Sequence, residues 1–307
     1  MKIIDDLLKL DSLGSKSVVT IGNFDGIHAG HRELVKGTLS LSDKVNISSV
    51  VLTFEPLPEE FFKRKGFFKL MAITDKLDYF REVGIDTVIK IPFTREFSQI
   101  TASMFINDIL IGKLQTQHLI VGKDFKFGRN REGNYDTLMK EKKFETNIVS
   151  IVKDYDEKIS SSMIRKLIVD GDIEKANSYL INKFSMDGHI VHGEKLGRKL
   201  GYPTANIEIC KSFPISGIFL VKVVIQGTQE KFGLASIGNK PTFSGKKDLL
   251  EVFIFNFDSE IYGKKIRVYF YEKLRNQIKF DSEDDLIKQM DNDSANAKKI
   301  LKTKYGL

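Results

Sequence analysis

The stretch Gly22-Asn23-Phe24-Asp25-Gly26-Ile27-His28-Ala29-Gly30-His31 stands between the apolar run Val18–Ile21 and a helical pattern over Arg32–Leu41. An apolar run followed by an amphipathic pattern predicts a buried strand that leads into a helix. Glycines at such a junction let the backbone approach a phosphate, and the first turn of the helix offers free N–H donors. The stretch therefore predicts a phosphate-binding turn between a strand and a helix.

The first half of the chain repeats this alternation. Apolar runs predict strands at 47–54, 86–91 and 118–122, and helical patterns separate them at 74–83, 101–110 and 135–142. The repeated β–α order predicts a doubly wound, Rossmann-like α/β sheet, whose ligands bind beyond the carboxyl ends of the strands. Because two more helical patterns follow at 160–169 and 173–180, we expect the first domain to cover residues 1–182.

The second half has a different texture. Alternating β-branched and aromatic residues predict strands of an antiparallel β-barrel at 218–225, 232–237, 250–257 and 266–271. The tail from Ser282 to Lys302 carries apolar residues at helical spacing behind a capping pair, Asp281 and Ser282, which predicts a helix over the barrel. We therefore expect a fold of class α/β + β, with the second domain at 183–307.

Composition limits the protein class. The single cysteine, Cys210, excludes an internal disulfide and a zinc site built on cysteines, and it favours a cytoplasmic location. No run reaches the roughly 18 apolar residues of a membrane span, so no membrane partner is expected. The 48 Lys and Arg against 41 Asp and Glu suit phosphate-bearing partners. Because the basic residues are interleaved with acids, no nucleic acid is expected.

His28 and His31 are the first candidate catalytic residues. They lie three residues apart, so that on a helical turn their imidazoles share one side. Attack of one phosphate on the α-phosphate of a nucleotide needs alignment and charge stabilisation rather than a protein nucleophile, and this loop can supply both. The alternatives are a simple helix cap or a metal-binding pair, although two histidines alone make a poor metal site.

Two further motifs could complete this site. Ser160-Ser161-Ser162-Met163-Ile164-Arg165 opens a helix, where hydroxyl and N–H groups could hold phosphate oxygens beside the Arg165 guanidinium. The same pattern is typical of an ordinary serine cap followed by a solvated arginine. The stretch Gly122–Gly128 follows a strand and could place Asp124 beside a base or a ring, or form a loop anchored by phenylalanines.

A second candidate site lies in the second half, in the stretch Gly193–Asn206. A Walker loop is excluded, because in the near miss Gly233–Lys240 Asn239 separates the glycine from the lysine. The stretch instead joins a glycine-rich turn and basic side chains to the oxygen pair of Thr204 and Asn206, which suffices for Mg²⁺ that keeps waters and nucleotide phosphates. The alternative is a long glycine-rich hairpin with a proline turn.

Taken together, these motifs resemble the bacterial bifunctional riboflavin kinase/FAD synthetase family. The first half is similar to the nucleotidyltransferase-type FMN adenylyltransferase of that family. The second resembles its riboflavin kinase through Gly193–Asn206 and downstream through Gly217-Ile218-Phe219, the run Ile237–Phe243, Glu251, Ile261-Tyr262-Gly263, Arg275 and Lys279-Phe280. The resemblance implies that riboflavin, ATP and Mg²⁺ give FMN, and that a second ATP adenylylates FMN to FAD with release of pyrophosphate.

The resemblance also implies residue roles. Glu251 would be the general base that takes the proton from the ribityl 5′-hydroxyl, while Thr204 and Asn206 hold Mg·ATP. His28 and His31 would face the reacting phosphate, assisted by Ser162 and Arg165. The other residues that we expect to bind nucleotide or flavin are Gly22, Asn23, Phe24, Asp25, Gly26, Gly30, Asp124, Ser161, Gly193, Lys195, Gly197, Arg198, Gly201, Pro203, Asn239 and Arg275.

The chain departs from the family pattern at a few positions. Leu57 and Phe253 each stand where histidine is common, Gln277 stands where glutamate is frequent, and Ser162 replaces the usual threonine. Two alternatives to a two-activity enzyme follow. One of the activities is lost, or the chain is a non-catalytic regulatory protein that binds flavin or nucleotide. The second alternative is disfavoured by the intact motif residues His28, His31, Arg165, Thr204, Asn206 and Glu251.

Overall fold

A computed structural model describes residues 1–7, 10–150, 152–154, 157–193, 197, 200–209, 213–238 and 249–306, with only the backbone at Leu249. Contacts divide the chain into two compact units, Met1–Met163 and Ile164–Leu307. The domain limits at 182 and 183 stay a prediction.

The first unit contains a parallel six-stranded sheet of order β1-β4-β3-β2-β5-β8. Both faces are covered, since Val19 and Ile21 of β2 belong to one hydrophobic core and Val18 to another. This covering explains why β2 is buried along its whole length and is rich in Val and Ile. The strands of this unit are β1 (Lys2–Ile4), β2 (Ser17–Ile21), β3 (Ser48–Phe54), β4 (Thr87–Ile91), β5 (Thr116–Gly122), β6 (Lys126–Phe127), β7 (Gly133–Asn134), β8 (Glu145–Val149), β9 (Lys153–Asp154) and β10 (Glu157–Lys158).

Helices connect these strands, as the β–α alternation predicts. The helix expected at 101–110 differs from the prediction, because after one α-helical turn it continues as a π-helix over Phe105–Lys113, which keeps four apolar side chains buried. The α-helices are α1 (Ala29–Val45), α2 (Pro58–Phe61), α3 (Ile73–Glu82), α4 (Arg95–Ser98), α5 (Ala102–Met104), α6 (Tyr135–Met139) and α7 (Ser161–Asp170), which runs into the second unit.

The second unit is a closed antiparallel barrel of order β11-β12-β15-β14-β13-β16. A C-terminal helix packs on it, with Ala297 and Leu301 against barrel residues that include Leu220 and Tyr271. Both features confirm the predicted fold. Its elements are α8 (Ile173–Tyr179), β11 (Ser185–Val191), β12 (Thr204–Ile209), β13 (Gly217–Ile225), β14 (Lys231–Ile237), β15 (Leu249–Ile254), β16 (Lys265–Arg275) and α9 (Glu283–Lys304).

The helices of both units are too short or too polar to cross a bilayer. Among the residues that the structure describes, none has an apolar stretch of the required length.

Candidate active sites

The loop between β2 and α1 has an unusual backbone. Phe24, Gly26 and Ile27 have φ values of 47°, 86° and 45°. Left-handed conformations are unfavourable for Phe and Ile, so tertiary contacts must hold them. The buried Asp25 carboxylate supplies such contacts, because it accepts hydrogen bonds from the N–H groups of Leu70 (2.9 Å) and Met71 (3.3 Å).

The loop ends at the open N-terminus of α1. His28 is the N-cap residue, its side chain makes no capping hydrogen bond, and the first turn carries no acidic residue. The first helical bond runs from Arg32 N–H to the His28 carbonyl (3.0 Å). The N–H groups of Ala29, Gly30 and His31 therefore have no carbonyl partner within the helix, which makes this helix end suitable for an anion.

The two histidines come together as the sequence predicts. Their rings stack with centroids 3.8 Å apart and planes inclined by 23°. Gly30 makes room for this arrangement, since a Cβ there would lie 3.3 Å from the His28 ring. The Nδ1 atoms of both rings are buried and lack a hydrogen-bond partner within the described part of the chain. Buried polar atoms normally have partners, so this pair indicates a place for a ligand.

Burial keeps both imidazoles neutral. It lowers the pKa of His28 from 6.5 to about 4, with the charges of Lys158 and Arg32 acting in the same direction and Asp124 opposing. Burial also lowers the pKa of His31 well below its usual value, and His28, Lys76 and Lys158 add to the shift. At neutral pH each ring therefore carries one N–H that can donate to a phosphate oxygen.

Asp124 lies close enough to His28 to affect its pKa, and it has an ion-pair partner of its own. Its carboxylate pairs with the ammonium of Lys158 on β10. Lys158, which the sequence reading did not single out, thus adds a partly exposed cation near the histidines. Asp124 and Lys158 are 34 positions apart in the sequence, and only the fold brings them together.

Three other predicted site residues make contacts that stabilise the loop. Phe24 is fully buried between His31 and Phe80, with ring centroids at 5.2 and 5.3 Å. Ser161 Oγ donates to the Asp25 carbonyl (2.8 Å). Phe24, Asp25 and Ser161 therefore shape the loop, whereas Ser162 is exposed at the start of α7. Arg165 lies one turn further along α7, in the second unit.

An aromatic cluster stands at the carboxyl ends of β3 and β4, and the sequence reading did not identify it. Phe93 lies at its centre, with ring centroids 5.6–5.7 Å from those of its four neighbours. Phe62 is 63% exposed. The sequence signal that could have identified this cluster is a group of phenylalanines just after two predicted strands, at the edge of a parallel sheet where ligands bind. The neighbours of Phe93 in this aromatic cluster are Phe54, Phe61, Phe62 and Phe97.

The candidate kinase residues share the outer face of the barrel. Asn206 lies opposite Glu251 in the pairing of β12 with β15, and Glu251 lies opposite Ser236 on β14. Thr204 lies opposite Phe253 in the same ladder. Directly opposed side chains on one face of a sheet have Cβ atoms about 4.5–5.5 Å apart. The fold therefore gathers a carboxylate and two neutral oxygen donors at one place.

The glycines of the preceding loop lie close to these donors. A Cβ added at Gly193 would overlap the Asn206 amide, and one at Gly197 would overlap the Tyr202 carbonyl and approach Thr204 Oγ1. Gly201 has a φ of 83°, which favours glycine. The expected ligands Lys195, Arg198 and Asn239 lie outside the described residues.

The oxygen donors fit a hard cation better than a soft one. Within the described ranges, no cluster of three or more His, Cys, Asp or Glu residues could hold a metal by itself. Mg²⁺, however, takes few protein oxygens and shares its remaining positions with water and phosphates. Thr204 and Asn206, two positions apart on the outer face of β12, suit that role.

Arg275 and Gln277 stabilise the edge of this site. The Arg275 guanidinium forms a two-pronged ion pair with the buried Asp293 of α9, at 2.7–3.0 Å. Gln277 Nε2 donates to Ser236 Oγ (3.0 Å) and to the Ile237 carbonyl (3.1 Å). The Gln277 amide is therefore hydrogen-bonded to β14, the strand that pairs with β15 beside Glu251. Arg275 is ion-paired to the C-terminal helix α9.

An open cavity of about 510 Å³ lies between β15 and α9, and Tyr202, two residues before Thr204, lines it. Phe253 contacts Tyr202 with ring centroids at 4.9 Å, and the Tyr202 hydroxyl bonds to Asp291 of α9. Burial and this contact raise the pKa of Tyr202 to about 12, so its hydroxyl stays protonated. The lining residues are Gly201, Tyr202, Phe253, Phe255, Asn256, Asp291, Ser294, Ala295 and Lys298.

Comparisons with known proteins find relatives for both halves of the chain. A family model described as FAD synthetase matches residues 11–163, and one described as riboflavin kinase matches residues 180–301. The bifunctional riboflavin kinase/FMN adenylyltransferase of Buchnera aphidicola subsp. Schizaphis graminum is 41% identical over 310 residues, covering 98% of this chain and 99% of that protein. The protein of the same description from Escherichia coli is 36% identical, with 98% of each chain covered.

A solved structure shares the fold over nearly the whole chain. The crystal structure described as a macrolide-efflux protein from Streptococcus pneumoniae has a TM-score of 0.85 and 31% identity, and covers 96% of this chain and 98% of that one. The description belongs to that protein. The likeness shows that the same fold occurs in that protein over nearly its whole length.

Proposed function

The chain belongs to the bifunctional riboflavin kinase/FMN adenylyltransferase family, and we propose that the two candidate sites carry the two steps. The second unit phosphorylates riboflavin with ATP to give FMN and ADP. The first unit transfers the adenylyl group of a second ATP to FMN, which gives FAD and pyrophosphate. The observation that carries the kinase assignment is the pairing of Glu251 with Asn206 on the outer face of the barrel, in register with Thr204 and Phe253.

In the kinase step, Glu251 accepts the proton of the ribityl 5′-hydroxyl. The oxygen then attacks the γ-phosphorus of ATP, and the bond to the β-phosphate oxygen breaks. Such transfers depend on in-line positioning and on neutralising charge more than on covalent chemistry. Thr204 and Asn206 would hold Mg²⁺, which supplies charge neutralisation at the phosphates when it is bound. Asn206 also fixes one flank of the site, because its amide packs against Gly193.

In the adenylyl step, the FMN phosphate attacks the α-phosphorus of ATP and pyrophosphate leaves. No proton has to move, so the protein's work is to bind and align two anions. The open N-terminus of α1 and the neutral imidazoles of His28 and His31 donate hydrogen bonds to phosphate oxygens. Lys158 would exchange its partner Asp124 for phosphate when nucleotide enters.

The flavin ring has a candidate surface in each unit. In the second unit the cavity beside Tyr202 and Phe253 has a volume of about 510 Å³ and adjoins the strand of Glu251. In the first unit the aromatic cluster around Phe93 offers an exposed face. Phe62→Ala should raise the KM for FMN in adenylylation, and Ala295→Phe, which narrows the cavity, should raise the KM for riboflavin in phosphorylation. Each variant should leave the other step unchanged.

The decisive experiment compares two variants in both reactions. Purified protein is incubated with ATP and MgCl₂ and with either riboflavin or FMN, and the flavins are separated by chromatography. Glu251→Gln should reduce FMN formation by about 10²–10⁴-fold while FAD formation from FMN persists. His31→Ala should do the reverse. If the unmodified chain forms FMN but no FAD, the first unit is idle and the single-activity alternative holds. Binding of flavin without turnover of either substrate would support the regulatory alternative.

We also propose that both steps run in the cytoplasm. The single cysteine and the use of ATP in both reactions support this location.

A further inference from the structure

Lys76 is a buried lysine that the steps above do not use. It lies on α3, and only 2% of the residue is exposed. Lysine is almost never fully buried unless its charge is paired. Burial lowers the pKa of Lys76 to about 8, while the carboxylates of Asp25 and Glu55 act in the opposite direction and Lys69 adds to the lowering. The ammonium is therefore mainly protonated at neutral pH.

Its hydrogen bonds are directed at the loop between β2 and α1, residues 22–28, which leads to the candidate nucleotide site. Lys76 Nζ donates to the carbonyl of Asn23 at 2.8 Å. Thr53 Oγ1, at the carboxyl end of β3, donates to the same carbonyl at 3.3 Å and lies 3.5 Å from Nζ. One backbone oxygen thus receives a charged donor from a helix and a neutral donor from a strand.

This oxygen immediately precedes the residues with left-handed backbone. Phe24, Gly26 and Ile27 follow it, and His28 comes next. Within this segment, Asp25 is held by Leu70, Met71 and Ser161, as described above. Lys76 supplies the contact just before the strained segment, so the loop is held both at its start and within it.

We propose that Lys76 is a positioning residue for adenylyl transfer, which holds the Asn23 carbonyl and thereby sets the loop that presents His28 and the first turn of α1 to the nucleotide. Lys76 acts through the backbone and does not touch the substrate. The inference rests on the proposed function of the first unit, since it names what keeps that site in its working geometry.

The test uses Lys76→Met, which keeps the length of the side chain and removes its charge and donors. We expect kcat/KM for ATP in FAD formation from FMN to fall by about 10- to 100-fold, because small misplacements of a reacting group cost that much. The KM for FMN should change little. FMN formation from riboflavin, measured in the same sample, should be unchanged because its site lies in the second unit.

The matched control is Lys36→Met on the exposed face of α1, which should behave as wild type. Thr53→Val is a second variant that removes the other donor at nearly constant volume. We expect it to lower kcat/KM for ATP about 3-fold, as loss of one neutral hydrogen bond predicts. The double variant should lose less than the product of the two single effects, because both donors act on one oxygen.

Several outcomes would overturn the proposal. They are wild-type kcat/KM for ATP in folded Lys76→Met, no effect of Thr53→Val, or strictly multiplicative losses in the double variant. If Lys76→Met fails to fold, by circular dichroism and thermal melting, Thr53→Val carries the test alone. Absence of FAD formation in wild type and Lys36→Met would instead refute the proposed function of the first unit.

Discussion

Asn206 and Glu251 face each other across the β12–β15 ladder, and both side chains lie on the outer face of the barrel. Their strands come from segments more than forty residues apart, yet the register leaves no freedom in how they meet. The pairing of the two strands therefore sets how the candidate general base and the candidate metal ligand meet. Strands position catalytic groups more precisely than loops do.

Asn206→Ala should impair the kinase step selectively. The variant removes a proposed oxygen ligand of Mg·ATP, and losing one polar contact to a charged group costs about 10- to 100-fold in kcat/KM. The apparent affinity for Mg²⁺ should fall as well. Initial rates of FMN formation at varied MgCl₂ check this prediction, with Glu208→Ala on the same face of β12 as the control. Equal Mg²⁺ dependence in Asn206→Ala and wild type would contradict it.

The stability of the first unit should decrease between about pH 6.5 and pH 4 because of His28. Its pKa is about 4 in the folded chain, against 6.5 when exposed. Within this window the unfolded chain binds a proton at His28 and the folded chain does not, so the free energy of unfolding falls as the pH drops. Above the window the imidazole is neutral in both states and has no effect.

Urea unfolding at about pH 7.5 and about pH 5 measures this contribution. Wild type should lose about 2 kcal/mol more than His28→Gln on going to the lower pH. A second readout is the NMR titration of the His28 ring, which should have its midpoint near 4. A midpoint near 6.5 would refute the prediction.

Asp293→Ala should destabilise the second unit strongly. The carboxylate and the Arg275 guanidinium are 8% and 17% exposed, so removing the acid leaves a nearly buried charge without its partner. We expect a loss of about 3 kcal/mol, measured by calorimetry of thermal unfolding. Asp187→Ala breaks the exposed pair with Arg267 and should cost less than about 1 kcal/mol. Similar losses in the two variants would show that burial does not decide the difference.

Leu57→His should not improve adenylyl transfer. Leu57 is 1% exposed and precedes α2 as its N-cap residue, so its side chain faces the core. An imidazole there would be buried without a ready partner, at a cost of about 1–3 kcal/mol. Rates of FAD formation from FMN and the melting temperature test this. A rise in kcat/KM for FMN or ATP would mean instead that position 57 meets the ligand.

The sequence predicts the elements that are continuously apolar or clearly amphipathic, such as β2, β3 and α1. It misses β1 and β8, because both lie at sheet edges, where exposed Lys2 and Glu145 interrupt the apolar pattern. Edge strands need not be hydrophobic on both faces, so their pattern is weak. The π-helix over Phe105–Lys113 likewise has no distinct sequence signal.

The candidate sites divide in the same way. Motif residues that are close in sequence, such as the stacked pair His28 and His31, follow from local spacing. Partners such as Lys76 for Asn23 or Asp293 for Arg275 do not, because nothing in a single sequence specifies which distant side chain will meet a given carbonyl or guanidinium. The buried positions of Phe24 and Asp25 also emerge only from packing.

The ladder that joins β12 to β15 has a consequence for how the barrel can fail. Residues alternate between the two faces of a strand, so a shift of one residue would turn Glu251 inward and bring Leu250 or Val252 to the outer face. A barrel misassembled in this way would keep its strands and its circular dichroism spectrum but would lack a base. The rate of FMN formation therefore reports whether the barrel has assembled in the correct register. It is a sensitive measure, because neither neighbour of Glu251 on β15, Leu250 or Val252, could replace the carboxylate.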